Sequence, residues 1–123
     1  MGLKTLKKAE LLRGKKRIEN LFRSGNDYVI HPLRIKVMRC QEPSETHQVL
    51  FTVSRKLHPK AVQRNRIKRL MREAYRLHKN QLQGLPSLCI AYIYQSKEIA
   101  DFQAMSGAVV QSLQKLKAYA QKD

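Results

Sequence analysis

At 123 residues and 42% apolar composition the chain is sized for one domain with a modest core, and 25 Lys and Arg against 9 Asp and Glu leave a net charge of +16. Charge of that size opposes compaction by self-repulsion unless a polyanion offsets it, which points to nucleic acid or an anionic membrane. No apolar run approaches the ~20 residues that a spanning helix needs, the N-terminus never reaches a signal-type apolar stretch, and Leu6 stands where a myristoylation motif has Ser or Thr, so a cytoplasmic protein with no membrane partner is expected.

Residues 1–13 are basic and lack a clean period, and are expected to form a flexible arm on a single RNA-binding domain spanning 1–123. Over 15–24, Ile18, Leu21 and Phe22 fall at i, i+3 and i+4, the apolar stripe of a short helix, and Gly25 stops it. A short β-like run over 28–30 ends at His31-Pro32. In 33–37, Leu33, Ile35 and Val37 alternate with Arg34 and Lys36, which predicts a half-buried strand with one basic face. Residues 41–46 (QEPSET) read as a polar turn around Pro43. Residues 48–54 form a further strand, with Val49, Phe51 and Val53 on one side and Leu50 and Thr52 on the other. Pro59 precedes the longest helical segment, 60–82, which Gly84 and Pro86 end. Residues 87–94 are β-branched, aromatic and apolar, a strand with both faces at least partly covered. Phe102, Met105, Val109, Leu113 and Leu116 then mark a closing amphipathic helix. The order α-β-β-β-α-β-α predicts an α+β fold, a two-layer α/β sandwich with a four-stranded, mostly antiparallel sheet.

The helix over 60–82 carries the charge. At ~100° per residue, Ile67, Leu70, Met71, Ala74, Tyr75, Leu77 and His78 share one face, which goes to the core. Asn65, Lys68, Arg69, Arg72, Arg76 and Lys79 lie opposite, with Arg64 and Arg66 at the edges. A face made only for solubility mixes signs. Here Glu73 is the one acid against eight Lys and Arg. Arginines predominate, which suits bidentate contacts with phosphate and stacking on bases.

Catalytic chemistry is not legible. Cys40 and Cys89 have no CxxC or CxxH companion and read as buried thiols, and His31, His47, His58 and His78 show no zinc spacing. A metal-dependent nuclease needs clustered carboxylates, yet the acids are scattered and no DxD or HxH occurs. No catalytic residue, metal ligand or cofactor is expected in the chain, and no obligate protein partner is evident. Composition fits an RNA-enzyme subunit and a structural RNA-binding protein such as a ribosomal protein equally; a DNA architectural protein fits less well.

A longer motif separates these. VSRKLHPKAVQ over 53–63 followed by RNRIKRLMR over 64–72 resembles the signature of the bacterial ribonuclease P protein subunit. The resemblance extends over most of the chain in the same element order. It implies an accessory subunit that docks on a large catalytic RNA, the RNA itself cutting the 5′ leader from precursor tRNA, with Mg²⁺ accompanying the RNA. It also implies an unusual left-handed crossover around the RNR helix, where sequence pattern alone predicts a right-handed one. Arg64, Asn65, Arg66, Lys68, Arg69 and Arg72 are then expected on the catalytic RNA, with Arg76 further along the same helix face. The family's leader cleft, between first helix and sheet, implicates Ile18, Phe22, Arg55 and Lys56. Tyr92 and Tyr94 are candidate stacking partners for a leader base there, against the alternative that they pack under the last helix; core burial is likewise the alternative for Phe22. Ile18 stands where many members carry an aromatic, and the fourth strand runs into Gln95-Ser96-Lys97 rather than a basic end.

Overall fold

The computed structural model describes residues 6–41 and 46–122. Its elements are α1 (Lys15–Ser24), β1 (Asn26–Ile30), β2 (Leu33–Arg39), β3 (Gln48–Val53), α2 (Ala61–His78), β4 (Leu88–Tyr94) and α3 (Phe102–Gln121). Every expected element is present, and the expected helix over 60–82 ends as a 3-10 turn over Lys79–Leu82. Of the QEPSET turn, residues 42–45 lie outside the described residues.

The strands form one sheet in the order β1-β2-β4-β3. β1 pairs antiparallel with β2 and β2 antiparallel with β4, whereas β3 and β4 are parallel neighbours. A parallel pair cannot close through a tight turn, so the chain crosses over between β3 and β4, and α2 makes that crossover.

Strand alternation sorts side chains to two faces. Leu33, Ile35 and Val37, Val49, Phe51 and Val53, and Leu88, Ile90, Tyr92 and Tyr94 point to one side, where Ile67, Met71 and Tyr75 of α2 and Met105, Val109, Leu113 and Leu116 of α3 cover them. Sheet, α2 and α3 make up the expected sandwich. Phe51, Tyr75 and Tyr92 form an aromatic triangle with ring centroids 5.9 Å apart. Such pairs add to stability beyond the area they bury.

The opposite face is only partly covered. There α1 lays Ile18, Leu21 and Phe22 against Met38, Leu50, Cys89 and Ala91, together with Leu12. Gly25 permits this seat: a Cβ there would stand 2.5 Å from the Leu21 carbonyl oxygen and 3.2 Å from that of Val37.

Of the arm expected over 1–13, residues 1–5 lie outside the described residues, and the following stretch is attached to the sheet. Leu11 makes a parallel bridge to Val49, Leu12 is buried, and the Leu12 N–H donates to the Val49 carbonyl at 2.9 Å. Glu10 closes an ion pair with Lys79 at 2.6 Å, both side chains largely shielded. The segment shows no period because one bridge and a three-residue 3-10 turn, not a continuous element, hold it.

Candidate nucleic-acid interface

The face of α2 directed away from the core divides into two groups. Arg66, Arg69 and Arg72 are exposed at i, i+3 and i+6, with no hydrogen-bond or ion-pair partner among the described residues. Asn65 is exposed beside them and Lys68 half-buried. The spacing of three advances each arginine about 4.5 Å along the axis, so three guanidinium groups share one side of the helix within about two turns.

Arg64 and Arg76 are engaged within the protein. The Arg64 guanidinium donates to the carbonyls of His58 at 3.0 Å and Pro59 at 2.6 Å. These carbonyls lie just before α2, whose N-cap residue, Lys60, offers no side-chain cap. Arg76 pairs with Glu73 one turn earlier, Nε to Oε2 at 3.3 Å. That hydrogen bond holds the Glu73 carboxyl below its ordinary range and pushes Arg76 above its own. Arg76 is therefore a cation already facing an acid.

Arg55 and Lys56 are exposed in the turn after β3. The turn is anchored by His58, 2% exposed, whose backbone N–H donates to the Ser54 carbonyl at 3.0 Å. His58 Nε2 lies 2.6 Å from the Ser96 carbonyl, and since a carbonyl only accepts, Nε2 carries the proton. The two basic side chains thus project from a fixed loop.

On the open sheet face, register places Val29, Arg34, Ile93 and Thr52 in one row across the strands and Asp27, Lys36, Ala91 and Leu50 in the next. α1 covers Ala91 and Leu50, with Ile18 and Phe22 half-buried at its inner edge. Ile18 and Phe22 therefore stand at one end of this face and Arg55 and Lys56 beyond the other, separated by the row containing Thr52, Ile93 and Arg34. At ~3.3 Å per strand residue, Leu50 to Val53 spans about 10 Å. Arg34 and Lys36 both reach Asp27, each at 2.9 Å. Those hydrogen bonds, Arg34 first, lower the Asp27 carboxyl to about 2. The trio carries one net positive charge.

Tyr92 and Tyr94 do not line this face. Both are 0% exposed in the main core. Tyr92 Oη meets Ser112 Oγ at 2.7 Å under α3, while Tyr94 Oη accepts from the Ala100 N–H at 2.9 Å and donates to the Glu98 carbonyl. The assignment to the cleft fails on strand parity, since Tyr92 and Tyr94 share the side of Leu88 and Ile90. Ala91 and Ile93 occupy the other side. The sequence reading missed Ile93 and Thr52, and it saw Arg34 and Lys36 only as a basic face; continuing the alternation from Leu33 through the sheet finds all four.

A second concavity, about 550 Å³, lies along the far side of α1, lined by Lys16, Arg17, Asn20, Arg23, Met38 and Arg39 among others. Arg39 also donates to the Ala120 carbonyl at 2.9 Å, tying β2 to the end of α3. Among the described residues no three His, Cys, Asp or Glu side chains converge as a metal site, and no helix is long and apolar enough to cross a membrane.

The family model described as Ribonuclease P matches residues 6–117. The ribonuclease P protein component of Porphyromonas gingivalis is 35% identical over 114 residues, covering 88% of this chain and 83% of that protein. The component of Chlorobaculum tepidum is 39% identical over 107 residues, covering 75% and 68%. Among solved structures, the RNase P protein of Staphylococcus aureus superposes with a TM-score of 0.74 at 22% identity, over 89% of this chain and 97% of that one. That of Thermotoga maritima gives 0.72 at 22% identity, over 86% and 96%. At that identity the two structures speak to the fold alone.

Proposed function

The chain belongs to the ribonuclease P protein family, and from that premise we propose that it is the noncatalytic subunit of a ribonucleoprotein that removes the 5′ leader from precursor tRNA. The observation that carries the reading is the row Arg66, Arg69, Arg72, three exposed guanidinium groups without an acidic partner among the described residues. Unpaired charge on a chain of net charge +16 is offset when a polyanion docks. The catalytic RNA is that polyanion. Guanidinium forks bind its phosphates bidentately, releasing counterions and fixing the helix in place.

The open sheet face serves a different strand. A floor of Thr52 and Ile93, an edge formed by Phe22 and Ile18, and cations at Arg34, Arg55 and Lys56 suit a single-stranded leader. There bases take apolar and stacking contacts while the backbone takes charge. Among the candidate side chains of this face only Phe22 is aromatic, so base stacking falls to it. The protein thereby holds two RNAs at once, and the pairing raises the effective concentration of leader at the catalytic RNA. Bond cleavage would belong to the RNA, where bound Mg²⁺ would supply activation of the attacking water and charge stabilisation; the chain contributes position and charge neutralisation.

The test is precursor-tRNA cleavage by the cognate RNA subunit at limiting Mg²⁺, with and without protein. Protein should raise kcat/KM for a substrate with a long leader and do less for one trimmed to a single nucleotide. Cleavage by protein freed of all RNA, or stimulation indifferent to leader length, sinks the reading.

A further inference from the structure

Cys40, just past the end of β2, and Cys89 in β4 bring their sulfurs to 3.1 Å, although 49 positions separate them. Both are free thiols, Cys40 half-exposed and Cys89 buried. They lie on the α1 side of the sheet, in the cluster that seats Ile18, Leu21 and Phe22. The Cys40 N–H donates to the Ser87 carbonyl at 3.0 Å, which holds the two strands together beside the sulfurs. From α1, Arg17 reaches over the pair, its guanidinium 3.8 Å from Cys89 Sγ and also bonded to the Gln48 side chain. Charged groups facing the adjoining groove are Lys16, Arg17, Glu19 and Arg23 of α1 and Arg39 of β2, four cations against one acid.

We propose that Cys40 and Cys89 are a hydroperoxide-oxidisable dithiol, with Cys40 the attacking thiolate and Cys89 the resolving thiol. The environment divides the pair into these roles. The hydrogen bond from the Cys89 S–H, aided by Ser87 and the Arg17 charge and opposed by burial, brings the Cys40 thiol down to about 6. The same contact, with burial, pushes Cys89 up, because a second thiolate beside the first is disfavoured. At neutral pH one sulfur is an accessible nucleophile and the other a proton-bearing neighbour, the arrangement in which a sulfenic acid is resolved rather than over-oxidised.

In the first step Cys40 S⁻ attacks one oxygen of hydrogen peroxide. An S–O bond forms, the O–O bond breaks, and hydroxide leaves. In the second, the Cys89 sulfur attacks the Cys40 sulfenic acid. The S–S bond forms, the S–O bond breaks, and the departing hydroxide takes the Cys89 proton as water. Each sulfur loses one electron and the peroxide gains two. An S–S bond is about 2.05 Å long, so the sulfurs approach by about 1 Å. The product fastens β2 to β4 directly beneath α1.

The experiment treats the full, reduced chain with hydrogen peroxide and follows intact mass and peptide maps. Wild type should lose two hydrogens and yield a linked peptide pair containing Cys40 and Cys89, without dimer. Cys89→Ser should instead accumulate a sulfenic acid at Cys40, trapped by a 1,3-dione. Cys40→Ser should leave Cys89 at least tenfold less reactive than Cys40 in wild type. Alkylation of Cys40 in Cys89→Ala, where the thiol hydrogen bond is gone, should show a higher pH midpoint than in wild type. Circular dichroism establishes that each variant is folded. Intermolecular disulfides as the main product, Cys89 reacting first, or a folded wild type that forms no internal disulfide overturns the proposal.

Discussion

On α2, Arg66, Arg69 and Arg72 stand exposed with no acid engaged among the described residues, whereas on β2 Arg34 and Lys36 both close on Asp27. In the sequence the two sites look alike, each a basic residue alternating with apolar ones at the period of its element. The folded difference is one carboxylate. β1 and β2 pair antiparallel with Asp27 opposite Lys36, so the hairpin brings an acid onto the basic face. The helix places Glu73 beside Arg76, beyond the arginine row. Cations without partners make a surface that gains most from a dense polyanion. Cations sharing an acid make a nearly balanced surface on which shape and apolar contact decide. That contrast fits docking on a structured RNA at α2 and reading of a single strand on the sheet.

The largest test of the contrast is the triple substitution Arg66→Ala, Arg69→Ala, Arg72→Ala. Removing each charge-assisted hydrogen bond to phosphate should cost about 1.5–3 kcal/mol of affinity for the catalytic RNA, with less than full additivity because the three are neighbours. Since all three are exposed, thermal unfolding should be almost unchanged. The slope of log K against log salt should flatten by roughly 0.7–0.9 for each phosphate no longer neutralised. Filter binding at several salt concentrations measures both. An unchanged slope with weakened affinity would mean that the arginines act by stacking, and the polyanion half of the comparison would fall.

Arg64→Ala separates the two kinds of arginine within α2. Its guanidinium spans the His58 and Pro59 carbonyls, so its removal should lower folding stability by ~1.5–3 kcal/mol, the worth of hydrogen bonds to a charged group. Chemical denaturation with wild type as reference reads this directly. RNA affinity should then fall mainly through a misplaced N-terminal turn of α2. A variant of full stability and weakened RNA binding would place Arg64 with Arg66 and Arg69 instead.

Phe22→Ala addresses the edge of the sheet face. Phe22 is half-buried beside the second cluster rather than inside it. Its removal should therefore cost less than the ~3–5 kcal/mol of a core phenylalanine. Binding of a long-leader precursor should weaken by about 1–3 kcal/mol, the worth of one stacked base, and binding of a substrate trimmed to one leader nucleotide should stay near wild type. Equal losses on both substrates would return Phe22 to a packing role.

The helix period made α2's division into dry and cationic faces legible, and the buried Ile67, Met71, Ala74 and Tyr75 follow it. Which cations are free was not legible, because that depends on carbonyls and acids brought close by folding. Periodicity cannot see that Arg64 turns back to His58 and Pro59, nor that Asp27 pairs across the hairpin. Tyr92 and Tyr94 show a second limit. In a strand covered on both sides every position is apolar, so alternation carries no label of inside and outside. Only pairing with β2, whose polar and apolar residues do alternate, assigns the faces. Leu11 and Leu12 show a third, since an isolated bridge to β3 leaves no repeating pattern.

The smallest expected effect lies at Asp27, and it sharpens the comparison most directly. Its carboxyl titrates at about 2 in the folded chain against an ordinary 3.8, so the ion pairs with Arg34 and Lys36 stabilise the fold fully above about pH 4 and lose their effect as pH falls toward 2. The side chain is 40% exposed, so water screens the pairs and their net worth is ~0.2–1 kcal/mol rather than the full shift. Asp27→Asn should therefore unfold slightly earlier than wild type at pH 7, and the gap should close as pH drops through that window. The same change raises the charge of the trio from one to two. Leader-dependent affinity should then rise, by no more than about fivefold for a contribution near ~1 kcal/mol, and become more salt-sensitive. The sheet face would thereby acquire, in small measure, the behaviour of α2. If affinity, salt slope and stability all match wild type, Asp27 does not balance the two cations, and the difference between the two basic surfaces must come from shape alone.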